Sequence, residues 1–298
     1  QGDGLTLMVE PVIVNEPYGP DLLGVDYTRS GISGRITNAF ARYENDMISV
    51  QLGRSPLLWG QSLGQSIIQS TVTPAYDHMD LRMNFGRFQL ELLTGQLGSE
   101  LLYGERVKRN ISGHKLTWVS KKKKWLLGFG EYIIYTGKNR GMEWHYLNPF
   151  VPYFFTSLDG DEEENYQSDN DNGILFATMR YVYKPNLSIF GELIIDDFQV
   201  DNTNTQDGLG FKIGADGAFN ISGKPITWIL EWTSINSWTY IHHGHFTSWQ
   251  NRGHALGFPY GPDLRSLYVQ ADIWITNVLL FDIELDWLEK GTNTLSTE

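Results

Sequence analysis

LYVQADIWITNVLLFDIELDW, Leu267 to Trp287, is the stretch on which the fold turns. From Leu267 the alternate positions are Leu267, Val269, Ala271, Ile273 and Ile275, and the residues between them are Tyr268, Gln270, Asp272, Trp274 and Thr276. After a turn at Thr276-Asn277 the alternation resumes. Leu279, Phe281, Ile283, Leu285 and Trp287 share one face, and Leu280, Asp282, Glu284, Asp286 and Leu288 share the other. A period of two is that of a β-strand, so the stretch reads as a hairpin with one wholly apolar face and one that carries acids. Such a hairpin fits a soluble sandwich, which hides its apolar face, or a membrane-spanning barrel, which turns that face out to lipid.

Composition narrows the choice. The chain has 298 residues and no Pro- or Ser-rich linker, so residues 1–298 are expected to form a single domain. A net charge of -12, from 35 acids against 23 bases, excludes nucleic acid, whose phosphates require a basic surface. Cysteine is absent, which removes a disulfide framework and thiol chemistry. Aromatics at 13% and 31 glycines favour β structure with wide turns. No apolar run reaches the roughly 18 residues of a transmembrane helix, and the residues after Gln1 do not resemble a signal peptide, so the chain reads as mature or trimmed.

Along the chain, Leu5 to Val14 is a strand candidate, and strands are expected at Gly34 to Tyr43 and Ile48 to Arg54, joined by Glu44-Asn45-Asp46. Glycines and prolines break the segment Ser55 to Asp77. Leu81, Met83 and Phe85 then alternate with Asp80, Arg82 and Asn84. Beyond Gly86, Phe88, Leu90 and Leu92 alternate with Arg87, Gln89 and Glu91. A long connection, Thr94 to Gly113, is expected before the strand His114 to Ser120; the strand Trp125 to Tyr135 should be bulged around Gly128 to Glu131. Four more strands follow, Ile174 to Tyr183, Leu187 to Asp196, Phe211 to Ile221 and Ile226 to Ile235, ahead of the opening hairpin.

Tight turns thus alternate with loops of a dozen residues or more. In an up-and-down meander this gathers every long loop at one end, the asymmetry of outer-membrane barrels with short periplasmic turns and long external loops. Charged residues from many strands (Asp80, Arg82, Arg87, Glu91, Arg180, Glu192, Glu231, Asp282, Glu284) share the face opposite the apolar stripes, as a hydrated lumen requires. The stripes themselves carry Trp125, Trp228, Trp232 and Trp287, rings suited to membrane interfaces. The expected fold is all-β: an antiparallel transmembrane outer-membrane β-barrel with about 12 strands visible. The ending LEKGTNTLSTE lacks the aromatic-ended final strand of such barrels, so the barrel is expected to be incomplete at the C-terminus.

Chemistry is concentrated in WTYIHHGHFTSWQNRGHALGFPYGPD, Trp238 to Asp263, with His242, His243, His245 and His254. Together with LGRSPLLWGQSLGQSIIQS (Leu52 to Ser70), YLNPFVPYFF (Tyr146 to Phe155) and the acidic DGDEEENYQSDN, this string resembles the capsule-assembly Wzi-like outer-membrane protein family, in the same order over most of the chain. The resemblance implies a barrel of about eighteen strands in the bacterial cell outer membrane that binds capsular-type surface polysaccharide like a lectin and helps attach or organise it. It implies neither catalysis nor a cofactor; the partners are surface polysaccharide, outer-membrane lipid and, in one version, other envelope proteins. A diffusion channel and a structural subunit of a secretion or motility complex are the competing classes.

Sugar binding needs flat aromatic faces for C–H surfaces and planar donors or carboxylates for hydroxyls. The candidates are Arg54, Trp59, His242, His245, Trp249, Arg252, His254, Tyr260 and Asp263. Arg54 with Trp59, and Trp249 with Arg252, are expected to form one surface at the external mouth. The same residues would otherwise pack the long segments into the lumen as a plug. A zinc site at His242 and His245 lacks an acid or Cys ligand pattern, and the acidic segment Asp159 to Asn172 lacks calcium-loop spacing, so solvated or packed loops are expected for both.

Overall fold

The computed structural model describes residues 4–15, 27–102, 105–137, 140–153, 171–197, 208–242 and 246–297. The strands are β1 (Gly4–Val14), β2 (Tyr27–Arg29), β3 (Ile32–Glu44), β4 (Ile48–Ser55), β5 (Tyr76–Phe85), β6 (Phe88–Leu102), β7 (Glu105–Val119), β8 (Trp125–Gly137), β9 (Asn172–Lys184), β10 (Leu187–Asp197), β11 (Gly208–Ile221), β12 (Lys224–Ile235), β13 (Gln250–Asn251), β14 (His254–Ala255), β15 (Leu264–Thr276) and β16 (Leu279–Lys290). All the pairings are antiparallel, and one sheet of 14 strands runs in chain order from β1 to β16 with β2 beside β3. Among the described residues, β1 and β16 are its two edges; β13 and β14 form a separate small hairpin.

The opening hairpin folds as its alternation predicts. Val269 lies opposite Leu285, Ala271 opposite Ile283 and Ile273 opposite Phe281, while Tyr268, Gln270 and Asp272 oppose Asp286, Glu284 and Asp282. Glu231 pairs with Tyr268 on the neighbouring strand, so the acids of β16 share the face of Glu231, which is buried. That face is the concave one. Glu91 and Leu93 of β6, Tyr132 of β8, Glu192 of β10 and Glu231 of β12 all turn to a common interior, where the segments 56–75 and 236–263 are packed. The other face is apolar and open: Leu7, Val9, Leu52, Phe129, Leu193, Ile213, Phe281 and Leu285 are each at least 40% exposed on strands spread from β1 to β16.

Two expectations about connections are corrected. Thr94 to Gly113 is no loop; β6 and β7 pair from Phe88 opposite Trp118 up to Leu102 opposite Glu105, so one connection at the long-loop end is only two residues. A shift in register between Leu97 and Glu100, with glycines at 95, 98 and 113, hid the alternation there. Conversely, β8 has no bulge at Gly128 to Glu131, since its pairing with both neighbours is continuous through Gly128, Gly130 and Glu131. The alternation blurs because both faces of β8 are covered: Tyr132 and Ile134 face the interior core, while Ile133 and Tyr135 pack with Tyr146 and Tyr153 on the outside. Gly130 is required by close approach, because a Cβ there would meet the His114 carbonyl oxygen and the Phe176 ring.

Candidate functional site

The interior is filled by two loops that bind each other and the wall. Ser70 N–H donates to the Leu256 carbonyl at 2.8 Å, Trp249 Nε1–H to the Ile68 carbonyl at 3.0 Å, and Asn251 Nδ2 to the Pro74 carbonyl at 2.7 Å; the Tyr240 hydroxyl donates to the Ile67 carbonyl. Burial raises the Tyr240 hydroxyl above its ordinary pKa, which keeps it a donor. The stretch Gly60 to Gln65 of the first loop holds only Gly, Gln, Ser and one Leu, so its backbone can lie against the wall. The orphan amides this exposes are met by wall carboxylates.

Glu192 is the main anchor. Its carboxylate accepts from the backbone N–H of Gln61 (2.6 Å), Ser62 (2.8 Å) and Ile67 (2.9 Å) and from the Ser66 hydroxyl (3.0 Å). Glu231 accepts from the Ser62 hydroxyl (2.6 Å) and from Lys212 Nζ (2.6 Å), in a pair whose side chains are each 1% exposed. On the same wall, Arg180 of β9 joins Asp216 of β11 (2.6 Å) to the Gln61 carbonyl (2.6 Å). The second loop is gripped by Arg109, which donates to the carbonyls of Phe246, Ser248 (2.7 Å) and Gln250 (2.9 Å). A charge buried this deeply is tolerable only when its hydrogen-bonding capacity is met, so these residues and the loops form one unit. The sequence places Glu192 and Glu231 on the lumen face, and the structure adds their role as anchors of the loop. Arg109 was missed because its strand was read as a loop.

The predicted sugar-binding residues are dispersed by this arrangement. Trp59 and Trp249 are 1% and 0% exposed and lie on either side of Tyr132, at centroid distances of 4.6 and 5.0 Å. Both rings are spent on core packing, with no free face at the mouth. Arg54 does not meet Trp59: it sits beside Asp77 on the outward face and pairs with it at 2.9 Å. Arg252 does not meet Trp249, because the hairpin Asn251-Arg252-Gly253-His254 carries Arg252 to an exposed tip at φ 55° and Gly253 at φ 81°, while Trp249 is drawn inward. His242 Nδ1 lies 2.8 Å from the Thr247 hydroxyl. His245, and the acidic stretch except for Asp171 and Asn172, lie outside the described residues. The two long segments of the Arg54/Trp59 and Trp249/Arg252 pairs do meet, but in the interior; a third long connection, in its described part 140–153, packs on the outer wall.

What remains open at the rim is a polar surface around Tyr260 and Asp263. Tyr260 is 47% exposed and donates to Asp286 at 3.1 Å. Asp263 lies at φ 57° and accepts from the Asn293 N–H (3.0 Å) and the Ser237 hydroxyl (3.0 Å). Those donors, the Asn293 amide foremost, hold its carboxyl below the usual carboxylate range. Beside it opens a cavity of about 400 Å³ lined by Asn236, Ser237, Asp263, Arg265, Glu289 and Lys290 among others. This set of alternating donors and acceptors matches the hydroxyls of a sugar, and it offers cations for an acidic substituent. Arg265, Glu289 and Lys290 were not singled out in the sequence, since each closes or opens a strand and only the sheet brings them together.

No family model and no curated protein matches the sequence. A solved structure does match: Wzi, an outer-membrane protein involved in group 1 capsule assembly in Escherichia coli, described as a carbohydrate-binding β-barrel. The TM-score is 0.65 at 15% identity over 89% of this chain. The match takes in 58% of the Wzi chain, so this chain spans somewhat over half the length of that protein. The fold is therefore that of a Wzi-type barrel sheet.

Proposed function

We propose that the protein is a bacterial outer-membrane barrel that holds a surface, capsular-type polysaccharide in a lectin-like way and helps attach or organise it, without chemistry on the glycan. The observation that carries the membrane part is the inversion of faces, with exposed apolar residues along the outside of strands from β1 to β16 and charged residues inside. A lipid surround makes that inversion favourable. The tight turns then lie on the periplasmic side and the long loops outside. Binding is favoured over diffusion because the two loops that would frame a pore fill it and are tied to the wall by buried charges. The fold shared with a carbohydrate-binding barrel supports the same reading.

The contact surface we assign is the rim around Tyr260, Asp263, Arg265 and Lys290. Tyr260→Ala combined with Arg265→Ala is expected to reduce polysaccharide retention at least about tenfold, the loss of roughly 1.4 kcal/mol, while heat-modifiable mobility on gels stays normal. A glycan array on purified protein gives the measurement. Unchanged retention by a correctly folded double variant would refute the assigned surface.

A further inference from the structure

Between β7 and β8 the apolar band of the outer wall is broken. His114 of β7 and Glu131 of β8 are direct register partners whose side chains point away from the plugged interior, and they pair at 2.8 Å. Thr94, Ser112 and Tyr135 lie above them on the same outward face. Lipid cannot cover such a seam, since an ionisable pair against acyl chains has no water to solvate it. The segment Arg140–Tyr153 covers it instead. Tyr153 N–H donates to Glu131 at 3.1 Å and its ring lies 4.7 Å from that of His114; Tyr146 stacks 4.8 Å from Tyr135; the Tyr153 hydroxyl ties back to the Tyr146 carbonyl at 2.9 Å. Arg140 fastens the upper end, pairing with both Glu143 (2.6 Å) and Asp171, to which the Tyr146 hydroxyl also donates (2.6 Å).

The face this segment turns away from the wall is not polar. Trp144 and Phe150 are each 85% exposed and Met142 is 59% exposed. Below His114 and Glu131 on the same outward face stand Leu116, Phe129 and Leu127, which belong to the apolar band. Phe129 is two residues from Glu131, about 7 Å along the strand, so the segment is continuous with the surface assigned to lipid. We infer that Arg140–Tyr153 is an interfacial strap: it seals the polar seam with its tyrosines and sinks Trp144, Phe150 and Met142 into the outer leaflet, so that the surface it binds is lipid. Trp at the headgroup level and Phe just beneath it are the residues such a position favours. This rests on the outer-membrane reading above.

The absence of cysteine allows a direct test. Single variants Trp144→Cys, Phe150→Cys, Phe129→Cys and Lys122→Cys are spin-labelled in phospholipid vesicles, and collision with oxygen, which concentrates in lipid, is compared with collision with a water-soluble nickel chelate. Positions 144 and 150 are expected to resemble 129, with an oxygen-to-nickel ratio several-fold above that of Lys122 in a tight turn. If 129 reports lipid but 144 and 150 report water, or are shielded from both probes as under a protein partner, the strap inference is overturned and the membrane reading stands. If 129 reports water as well, the membrane reading itself falls.

Discussion

Glu192 gathers three backbone amides and a hydroxyl from a loop more than a hundred residues earlier in the chain. Hydrogen bonds to a charged group contribute about 1.5–3 kcal/mol each, and donors left unmet in the interior cost as much again. Glu192→Ala is therefore expected to free the 56–75 segment and to give measurable conductance in planar bilayers well above that of the unchanged protein. Equal conductance would mean that Glu231 and Arg180 hold the loop without it. Asp263 offers a test by pH. Its carboxyl is held below the ordinary value, so its contribution is fully present above the usual aspartate pKa of about 3.9 and is lost as pH falls through the lowered one. Asp263→Ala should expose the segment 291–297 to protease at pH 7, and the difference from the parent should vanish under strongly acidic conditions.

At the scale of the strand, the faces assigned from alternation can be checked by charge. Ile283→Arg places a cation on the outward face of β16 and should cost about 2 to 4 kcal/mol near mid-bilayer, seen as impaired assembly and lost heat-modifiability. Normal assembly of this variant would overturn the face assignment. A similar contrast exists between glycines. Gly130→Ala should destabilise by about 1–3 kcal/mol, because its Cβ would run into a carbonyl of β7 and the Phe176 ring, whereas Gly191→Ala, whose nearest neighbour is an oxygen at 3.5 Å, should be nearly neutral in denaturant titration. Strands such as β15 and β16 were legible because one face is polar and the other apolar. β8 was legible as a strand but wrong in detail, since loops cover it on both sides and burial, not solvent, set its residue types. β6 and β7 ran past their predicted ends for a different reason: glycines and a register shift removed the period while the hydrogen bonding continued.

For the whole molecule, the fold class followed from local alternation, but the site did not, because its parts are joined only through the interior. Nothing in the spacing of Arg54 and Trp59 shows that a strand's end turns one outward and the other into the core. The plug was the alternative use of the same aromatic and arginine residues, and for Trp59 and Trp249 it describes where they lie. The rim surface around Asp263 and Lys290 emerges from segments that are neighbours only after β15 and β16 pair.

The anchoring of the plug also constrains the order of assembly. Ser62 bonds to Glu192 and to Glu231 across 130 and 169 residues of chain, and the Glu231–Lys212 pair is sealed beneath the loop. A sheet that curled up empty would enclose those charges with no amides to receive them, and a loop arriving afterwards would have to displace whatever solvent had taken its place. The strands must wrap around a segment synthesised well before them, so the early loop acts as the mandrel on which the later wall is wound. Contacts of such long range form slowly, and the rate of folding should depend more on residues 56–75 than on any single strand.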